Sequence, residues 1–371
     1  MDTALRPVDF TKAFPPTPAI LHQALSQTLT RLGEVPELGA QIRLNRPAGD
    51  WADREAAASW LSCRFTPPPP ASRVIITNGT QSALALILQS LAAPGDLITC
   101  ERLTYVVLRQ IIGRLGMRLR GVPIDNLGLV PQAFEAICRE ECPKALYCNP
   151  TVHNPTAAVM PESRRAEIAD IARRYGVLII EDDVIGALHG PYPRPIAAMA
   201  PDVTWYCMSL SKCFALGLRL AYVLAPSNAA AIDLVKPVQN LSSWFPSALS
   251  LMVAEDWIKT GLGSRISAAI HDEMVERQLL AASLLDSGRY TTAAGALHIW
   301  LQLPTTFDPL TFAHATARVG ATVRPANLFL VDDSPAPNAV RISLSTPTLR
   351  ADLEDGLKRI APLLEQVSGA Y

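Results

Sequence analysis

Short apolar segments alternate with longer amphipathic segments through the middle of this chain. Apolar segments of this length, bounded by Gly, Pro and Asn, are typical of strands that are buried on both faces. Strands that alternate with helices predict an α/β fold, in which helices cover both faces of a mainly parallel sheet. The predicted strands are residues 74–77, 97–100, 118–123, 145–148, 177–180, 203–208 and 222–224, and the predicted intervening helices are 82–92, 105–115, 131–139 and 161–175.

The segments on either side of this region predict further elements. Before it, leucines 21, 25, 29 and 32 recur at helical spacing and predict a helix over residues 21–33, and a second helix is predicted over 54–63. After it, long helices over 241–285 precede strands and helices that suggest a smaller α/β domain. We therefore expect three parts: an arm and helix over 1–45 that pack with the small domain, a large domain over 46–245, and a small C-terminal domain over 246–371.

Composition limits the classes of function. The 371 residues carry a net charge of −1, whereas a nucleic-acid surface needs a basic excess. No apolar run is long enough for a membrane span, and the N-terminus lacks the pattern of a signal peptide, so we expect no membrane partner and a cytoplasmic protein. The seven cysteines are odd in number and scattered, which favours reduced thiols. Cys138 and Cys142 lack a second Cys/His pair, so no metal site is expected.

The end of the strand predicted over 203–208 carries the most informative residues. Ser209, Ser211 and Lys212 follow the apolar segment, and Arg219 comes shortly after. Dehydration at the mouth of a buried strand should lower the pKa of a lysine and expose the lone pair that attacks an aldehyde. The two hydroxyls and the arginine could bind a dianionic phosphate. The alternative is an ordinary surface lysine after a strand.

Other polar residues lie at the predicted carboxyl ends of strands, where ligands of parallel sheets bind. Asn78-Gly79-Thr80-Gln81 opens a helix whose free N–H groups could bind a phosphate, or it is a simple N-cap. Asp182 and Asp183 should point to opposite faces of their strand, so only one of them can serve the site. Arg341, in an apolar strand, needs a carboxylate from a ligand or from an internal ion pair.

Together these motifs resemble the cofactor segments of fold type I enzymes that depend on pyridoxal 5′-phosphate (PLP). The closest resemblance is to class I/II aminotransferases and to the aminotransferase-like domain of MocR-type regulators. Ser-x-Ser-Lys with Gly-x-Arg, Thr-Asn-Gly-Thr-Gln, Asn154-Pro-Thr, Asp182 and Arg341 carry it, from about residue 40 to the C-terminus. About forty residues precede this region and none resembles a winged helix, so we expect no DNA-binding domain and no nucleic-acid partner.

The resemblance implies a role for each matched residue. Lys212 would hold PLP as a Schiff base and act as acid and base, and Asp182 would keep the ring nitrogen protonated. Tyr105 would stack on the ring, and Arg341, with Asn154, would bind the substrate carboxylate. The implied cofactor-binding residues are Gly79, Thr80, Gln81, Tyr105, Asn154, Asp182, Ser209, Ser211, Lys212 and Arg219. The family's homodimers share their sites across the interface, where Trp244 and Phe245 could lie, or they could pack internally.

Two departures from the family pattern affect the expected reaction. Val184 and Ile185 stand where a tyrosine usually contacts the ring's phenolic oxygen, and Leu44 and Asn45 stand where a second tyrosine reaches the partner subunit. His189 or Tyr192 could replace the missing hydroxyl. We therefore expect an aminotransferase that passes the amino group of an amino acid to a 2-oxo acid. The alternatives are a PLP-dependent lyase, decarboxylase or oxidase, or a PLP-binding sensor domain without catalysis.

Overall fold

The computed structural model describes residues 6–188, 192–304 and 307–365. Its helices are α1 Ala19–Gly33, α2 Leu38–Arg43, α3 Trp51–Leu61, α4 Thr80–Leu91, α5 Val106–Arg114, α6 Pro131–Glu141, α7 Glu162–Tyr175, α8 Ile196–Met199, α9 Asn228–Val235, α10 Ala248–Lys259, α11 Leu262–Leu284, α12 Pro309–Arg318 and α13 Arg350–Glu365. Its strands are β1 Val8–Asp9, β2 Val74–Thr77, β3 Leu97–Glu101, β4 Arg118–Val122, β5 Ile124–Asp125, β6 Gly128–Leu129, β7 Ala145–Cys148, β8 Leu178–Asp182, β9 Thr204–Ser209, β10 Ala221–Leu224, β11 Tyr290–Thr291, β12 His298–Gln302, β13 Ala321–Thr322, β14 Arg324–Pro325 and β15 Ala339–Ser343.

A seven-stranded sheet forms the centre, in the order β2-β10-β9-β8-β7-β3-β4. Every neighbouring pair is parallel except the two made by β10, which runs antiparallel to both β2 and β9. The predicted mainly parallel sheet is therefore confirmed. Its strands match the predicted segments to within two residues at either end, because each is a short apolar run with clear turn residues beside it.

Alternate residues of each strand pack on opposite faces of this sheet. Ile98 and Ile180 belong to the apolar cluster that includes the buried residues of α4 and α5. Their sequence neighbours Leu97 and Ile179 belong to a second cluster with the buried residues of α6 and α7. Helices thus cover both faces, which explains why these strands are apolar throughout.

The parallel strands bring their carboxyl ends to one edge of the sheet. β3 ends at Glu101, β8 at Asp182 and β9 at Ser209, so the chain leaves the sheet at neighbouring points after each strand. The segments that follow these ends, with the turn between β2 and α4, contain most of the chemically active residues of the predicted site. This edge of the sheet is where the fold gathers them.

The C-terminal third contains a second, antiparallel sheet in the order β11-β12-β15-β14. The N-terminal segment reaches this part of the chain, because β1 pairs in parallel with β13 and α1 contacts α11. Among the described helices, none combines the length and apolar composition that a bilayer span requires. The division into parts 1–45, 46–245 and 246–371 remains a prediction.

Two sequence-based expectations were wrong in detail. In α1, Leu25 and Leu29 are 39% and 46% exposed, whereas Ala24 and Thr28 are buried. The helix packs through Thr28, whose hydroxyl donates to Asp256 at 2.7 Å and accepts from the Trp257 indole at 3.0 Å. A polar contact, invisible in the apolar pattern, therefore sets which face is buried.

The long helices predicted over residues 241–285 begin later than expected. A 3-10 turn, Ser242–Trp244, precedes α10, and Gly261 separates α10 from α11 with a φ of +73°. Trp244 is 3% exposed, and its indole nitrogen donates to the Val238 carbonyl at 3.0 Å. Of the two alternatives for Trp244, internal packing is the one that the structure supports.

A buried ion pair joins α3's C-terminal turn to the end of β8. The Arg64 Nε donates to Asp183 Oδ2 at 3.0 Å, and the Tyr206 hydroxyl donates to the same oxygen at 2.9 Å. The two charged side chains are 4% and 0% exposed. Asp183 makes these contacts with Arg64 and Tyr206, whereas its neighbour Asp182 contacts Tyr147. The two side chains therefore have different surroundings, as strand alternation predicts.

We predict that Arg64→Met lowers the free energy of unfolding by about 3 kcal/mol, because the Asp183 carboxylate would be left buried without its counter-charge. Denaturant unfolding followed by far-UV circular dichroism measures the difference. Arg194→Met is the matched control: it removes a 2.8 Å ion pair to Glu162 whose side chains are 67% and 43% exposed, and it should leave the unfolding midpoint close to that of the parent. Equal losses in the two variants would contradict this account of the buried pair.

Candidate active site

One cavity of about 690 Å³ lies beside the carboxyl ends of the parallel strands. Its size is that of a typical small-molecule site. All the residues predicted for the site contribute to its walls: Gly79, Thr80, Gln81, Tyr105, Asn154, Asp182, Ser209, Ser211, Lys212, Arg219 and Arg341. Residues from the whole length of the chain are thus brought together, as expected from their positions after strands.

Lys212 lies in the turn that follows β9. Burial, and then the positive charges of Arg341 and Arg219, lower the pKa of its ammonium group to about 8. Its Nζ donates to the backbone carbonyl of Ala13, in the N-terminal segment. A substantial fraction of Lys212 is therefore a neutral amine near physiological pH, which is the form that attacks a carbonyl carbon.

A second corner of the cavity is formed by the turn before α4 and by Arg219. Gly79 has a φ of +84°, and a Cβ added there would lie 3.4 Å from the Arg219 guanidinium. Among the described residues Arg219 has no hydrogen-bond or ion-pair partner. The first N–H groups of α4 and the hydroxyls of Ser209 and Ser211 complete a corner that is suited to an anion.

Asp182 belongs to the wall of this cavity and has one carboxylate oxygen without a partner among the described residues. Its Oδ2 accepts a hydrogen bond of 2.6 Å from the Tyr147 hydroxyl, whereas its buried Oδ1 has no partner among the described residues. Burial raises the pKa of Asp182 to about 7, and the Tyr147 hydrogen bond opposes that shift. A cationic N–H group placed at Oδ1 would relieve both the missing hydrogen bond and the cost of burying this charge.

Asn149 holds two of the predicted residues in place. Its Oδ1 accepts from the Asn154 backbone N–H at 2.8 Å, and its side-chain amide donates to the Asp182 carbonyl. Its own N–H donates to Glu101 Oε1 at 2.9 Å. Asn149 begins an Asn-Pro-Thr sequence like the one at Asn154, and its contacts position Asn154 and Asp182.

Tyr105 stands at the N-terminus of α5 and forms part of the cavity wall. Its hydroxyl accepts a hydrogen bond of 3.0 Å from the Gln81 side chain, which fixes the direction of the phenol. Burial raises the pKa of this hydroxyl, so Tyr105 is a neutral aromatic wall. The ring is available for the stacking role that the sequence predicts.

Arg341 is buried without an acidic partner. Its Nη1 donates to Asn154 Oδ1 at 2.7 Å, its Nη2 donates to the Thr11 carbonyl at 2.6 Å, and its Nε has no partner among the described residues. Burial, and then the charge of Arg324, lower the pKa of Arg341 to about 9. The alternative of an internal ion pair is wrong for the described residues, and a ligand carboxylate would supply the missing charge.

The departures from the family pattern are visible in the cavity wall. Val184 and Ile185 contribute apolar surface beside Asp182, so no phenol stands there. Tyr192 does not replace it, since its hydroxyl donates to the Ala294 carbonyl at 2.9 Å and it is absent from the wall. His189 lies outside the described residues. Leu44 is 64% exposed on the surface.

Sequence analysis missed several wall residues. Tyr147 lies inside an apolar strand, and His298 and Arg324 lie in short strands of the C-terminal sheet. Thr11 and Ala13 contribute backbone carbonyls, which no side-chain pattern can reveal. An arginine next to Pro325 in an otherwise apolar segment was the one available signal for Arg324.

Comparisons with known proteins agree with this arrangement. The sequence model of the family described as aminotransferase class I and II matches residues 44–360. The uncharacterised HTH-type transcriptional regulator YdeF of Bacillus subtilis is 30% identical over 299 residues, which are 80% of this chain and 63% of the regulator. The chain thus spans less than two thirds of that relative. Aromatic-amino-acid aminotransferase 1 of Thermococcus litoralis is 25% identical, over 84% of this chain and 77% of the enzyme.

Solved structures share the fold. The kynurenine aminotransferase of Pyrococcus horikoshii superposes with a TM-score of 0.87 at 21% identity, covering 100% of this chain and 93% of that one. The α-aminoadipate aminotransferase LysN of Thermus thermophilus superposes with a TM-score of 0.85 at 22% identity, covering 98% and 94%. These superpositions confirm the fold that the sequence predicts, which is the α/β fold of fold type I enzymes.

We predict that the reactivity of Lys212 in the ligand-free protein reaches half its maximum near pH 8. Only the neutral amine attacks formaldehyde, and the pKa of Lys212 is lowered to about 8. Reductive methylation at a series of pH values, quantified on the Lys212 peptide by mass spectrometry, measures the profile. Exposed Lys144, followed in the same samples, corrects for changes in the reagent. A Lys212 rate that still rises steeply above about pH 10, as for an unperturbed lysine, would contradict the lowered pKa.

Proposed function

The chain belongs to the aminotransferase class I and II family, and on that basis we propose that it is a PLP-dependent aminotransferase. It would transfer the amino group of an amino acid to a 2-oxo acid. One observation carries the proposal: Lys212, Arg219 and Arg341 face the same cavity without a carboxylate partner, opposite the free Oδ1 of Asp182. A phosphorylated pyridine aldehyde and a carboxylate substrate together match these groups.

The phosphate of the cofactor fits the corner around Gly79. Arg219 supplies an unpaired guanidinium, α4 supplies free N–H groups, and Ser209 and Ser211 supply hydroxyls. The positive φ of Gly79 favours glycine, and a β-carbon there would already be in van der Waals contact with the Arg219 guanidinium. Thr80 and Gln81 follow at the start of the helix. These residues would bind the phosphate in its doubly negative form.

The cofactor's ring fits between Tyr105 and the apolar residues Val184 and Ile185. When bound, PLP supplies an electron sink that stabilises negative charge at the substrate Cα. Asp182 would keep the ring nitrogen protonated through Oδ1, because a cation at this position offsets the buried carboxylate. Tyr147 and Asn149 fix the direction of that carboxylate through its other oxygen and its backbone.

Lys212 and Arg341 would handle the substrate. The Arg341 guanidinium, held by Asn154, would bind the α-carboxylate and orient the Cα–H bond. The Lys212 Nζ would then take the proton from the substrate Cα. Its lowered pKa, about 8, suits a base that must also return a proton near neutral pH.

A second candidate function is ligand sensing without turnover. It is favoured by the regulators among the relatives, such as YdeF, whose chains are longer than this one. The apolar Val184 and Ile185 favour a third possibility, because a missing phenol beside the ring alters the balance between transfer and elimination, decarboxylation or oxidation. Product analysis separates these three functions.

We also propose a cytoplasmic homodimer. All seven cysteines are unpaired, which suits a reducing compartment. Several large apolar side chains lie exposed on and around α2 and α3, including Ile42, Leu44 and Trp51, at 51%, 64% and 59% exposure. Leu241 is 57% exposed in the segment before α10. A subunit interface over these residues would remove them from water.

We predict that the protein gains a visible absorbance band on incubation with PLP, and that Lys212→Ala lacks this band. The variant should also lose transamination activity by about 100-fold or more, because the amine proposed to move the proton would be missing. Lys144→Ala, which removes an exposed lysine, is the matched control and should behave like the parent. Absorbance spectra and a 2-oxo acid acceptor assay measure both effects.

The products decide between the candidate functions. A new amino acid formed in equal amount to the consumed donor supports transfer. Release of ammonia, carbon dioxide or hydrogen peroxide without transfer would replace the proposal with the lyase, decarboxylase or oxidase. Binding of PLP and an amino acid with no product would favour the sensor. A wild-type protein that takes up no PLP would refute all three.

A further inference from the structure

Arg324 is a cationic wall residue that the proposed reaction leaves without a role. It lies on β14, and its β-ladder partner is Arg341 on β15, so the two side chains project from directly opposite positions. Both contribute to the wall of the 690 Å³ cavity. Arg324 is half-buried, and among the described residues it has no hydrogen bond, ion pair or ring contact.

Two arginines at opposite positions of a β-ladder repel each other unless an anion lies between or beside them. The charge of Arg324 contributes, after burial, to the lowered pKa of Arg341, and it also acts on the Tyr105 hydroxyl. Arg324 therefore shares the cavity wall with the residue proposed to bind the α-carboxylate and with the residue proposed to stack on the ring. The cavity beside these residues is where a substrate side chain would extend.

One arginine of the cavity wall has no ligand group assigned to it by the proposed function. The described wall residues include five cations, Lys12, Lys212, Arg219, Arg324 and Arg341, and one carboxylate, Asp182. The Lys12 Nζ lies 4.0 Å from the carboxylate of Asp9, and Asp9 itself is not part of the wall. The proposed function assigns a phosphate to Arg219 and an α-carboxylate to Arg341, and Arg324 remains without a counter-charge.

We propose that Arg324 binds the distal carboxylate of a dicarboxylic amino acid or 2-oxo acid whose α-carboxylate lies on Arg341. This inference rests on the proposed function and specifies its substrate class. A bidentate pair with a carboxylate is the natural contact for a free guanidinium. Because the residue comes from the same chain and the same sheet as Arg341, the distance between the two guanidinium groups is set by one β-ladder.

Equilibrium binding of unreactive acids tests the proposal. Glutarate carries two carboxylates and valerate carries one, and neither has an amino group, so neither is consumed. Isothermal titration calorimetry gives both affinities, for the PLP-loaded protein and for the protein without PLP. The variants are Arg324→Met, Arg324→Lys and, as a matched control for loss of one positive charge, Arg318→Met on the exposed face of α12.

Wild type should bind glutarate at least about 10-fold more tightly than valerate. Arg324→Met should weaken glutarate binding by about 10- to 100-fold and leave valerate binding unchanged. A loss of about this size is typical when a charge-assisted hydrogen bond is removed. Arg324→Lys should retain part of the preference, and Arg318→Met all of it. With amino acids, the same Arg324→Met variant should raise KM for glutamate and aspartate more than for norvaline.

Three results would overturn the proposal. If Arg324→Met weakened the binding of glutarate and valerate equally, both arginines would contact the same carboxylate. An unchanged glutarate affinity would mean that Arg324 does not contact the ligand. Tighter binding of pentylphosphonate than of glutarate would indicate a substrate with a different anionic group. If wild-type protein without PLP prefers glutarate and Arg324→Met abolishes that preference, the arginine pair is supported even if the proposed transamination fails, so the two claims can be separated.

Discussion

A buried or half-buried cation without a carboxylate partner costs free energy that the surrounding protein must supply. This fold holds Lys212, Arg324 and Arg341 around one cavity, with Asp182 as the single carboxylate in the described wall. Their mutual repulsion and dehydration lower the pKa values of Lys212 and Arg341. The rest of the structure keeps these charges together, so that an anionic ligand bound among them would offset this cost.

The parallel sheet is what makes this concentration possible. Strands β3, β7, β8 and β9 end at one edge, and each is fixed by apolar packing on both faces. Two buried arginines outside the cavity are paired instead: Arg64 with Asp183, and Arg165 at 3.6 Å from Glu181. The alternation of a strand thus gives Asp182 and Asp183 opposite environments. Asp182 belongs to the cavity wall and accepts from Tyr147, whereas Asp183 lies outside the wall and accepts from Arg64 and Tyr206.

Much of the fold and part of the site could be predicted from the sequence. The strands could be predicted because most of them are short apolar segments between turn residues. The site residues could be predicted because polar groups follow those segments. The contributions of Asn149, Tyr147 and Arg324 were not, because each depends on a contact between distant parts of the chain. The buried face of α1 was mispredicted for the same reason: Thr28 binds Asp256 and Trp257, and no apolar period reports that. Backbone carbonyls, such as those of Thr11 and Ala13, carry no sequence signal at all.

The central claim is that the amine of Lys212 is the group that captures an aldehyde cofactor in this cavity. Mass spectrometry after incubation with PLP and reduction with borohydride tests it most directly, since reduction makes the attachment permanent. The account predicts the mass of the cofactor on one peptide, the one that contains Lys212, in close to one copy per chain. Attachment mainly at another lysine, or no attachment, would contradict it.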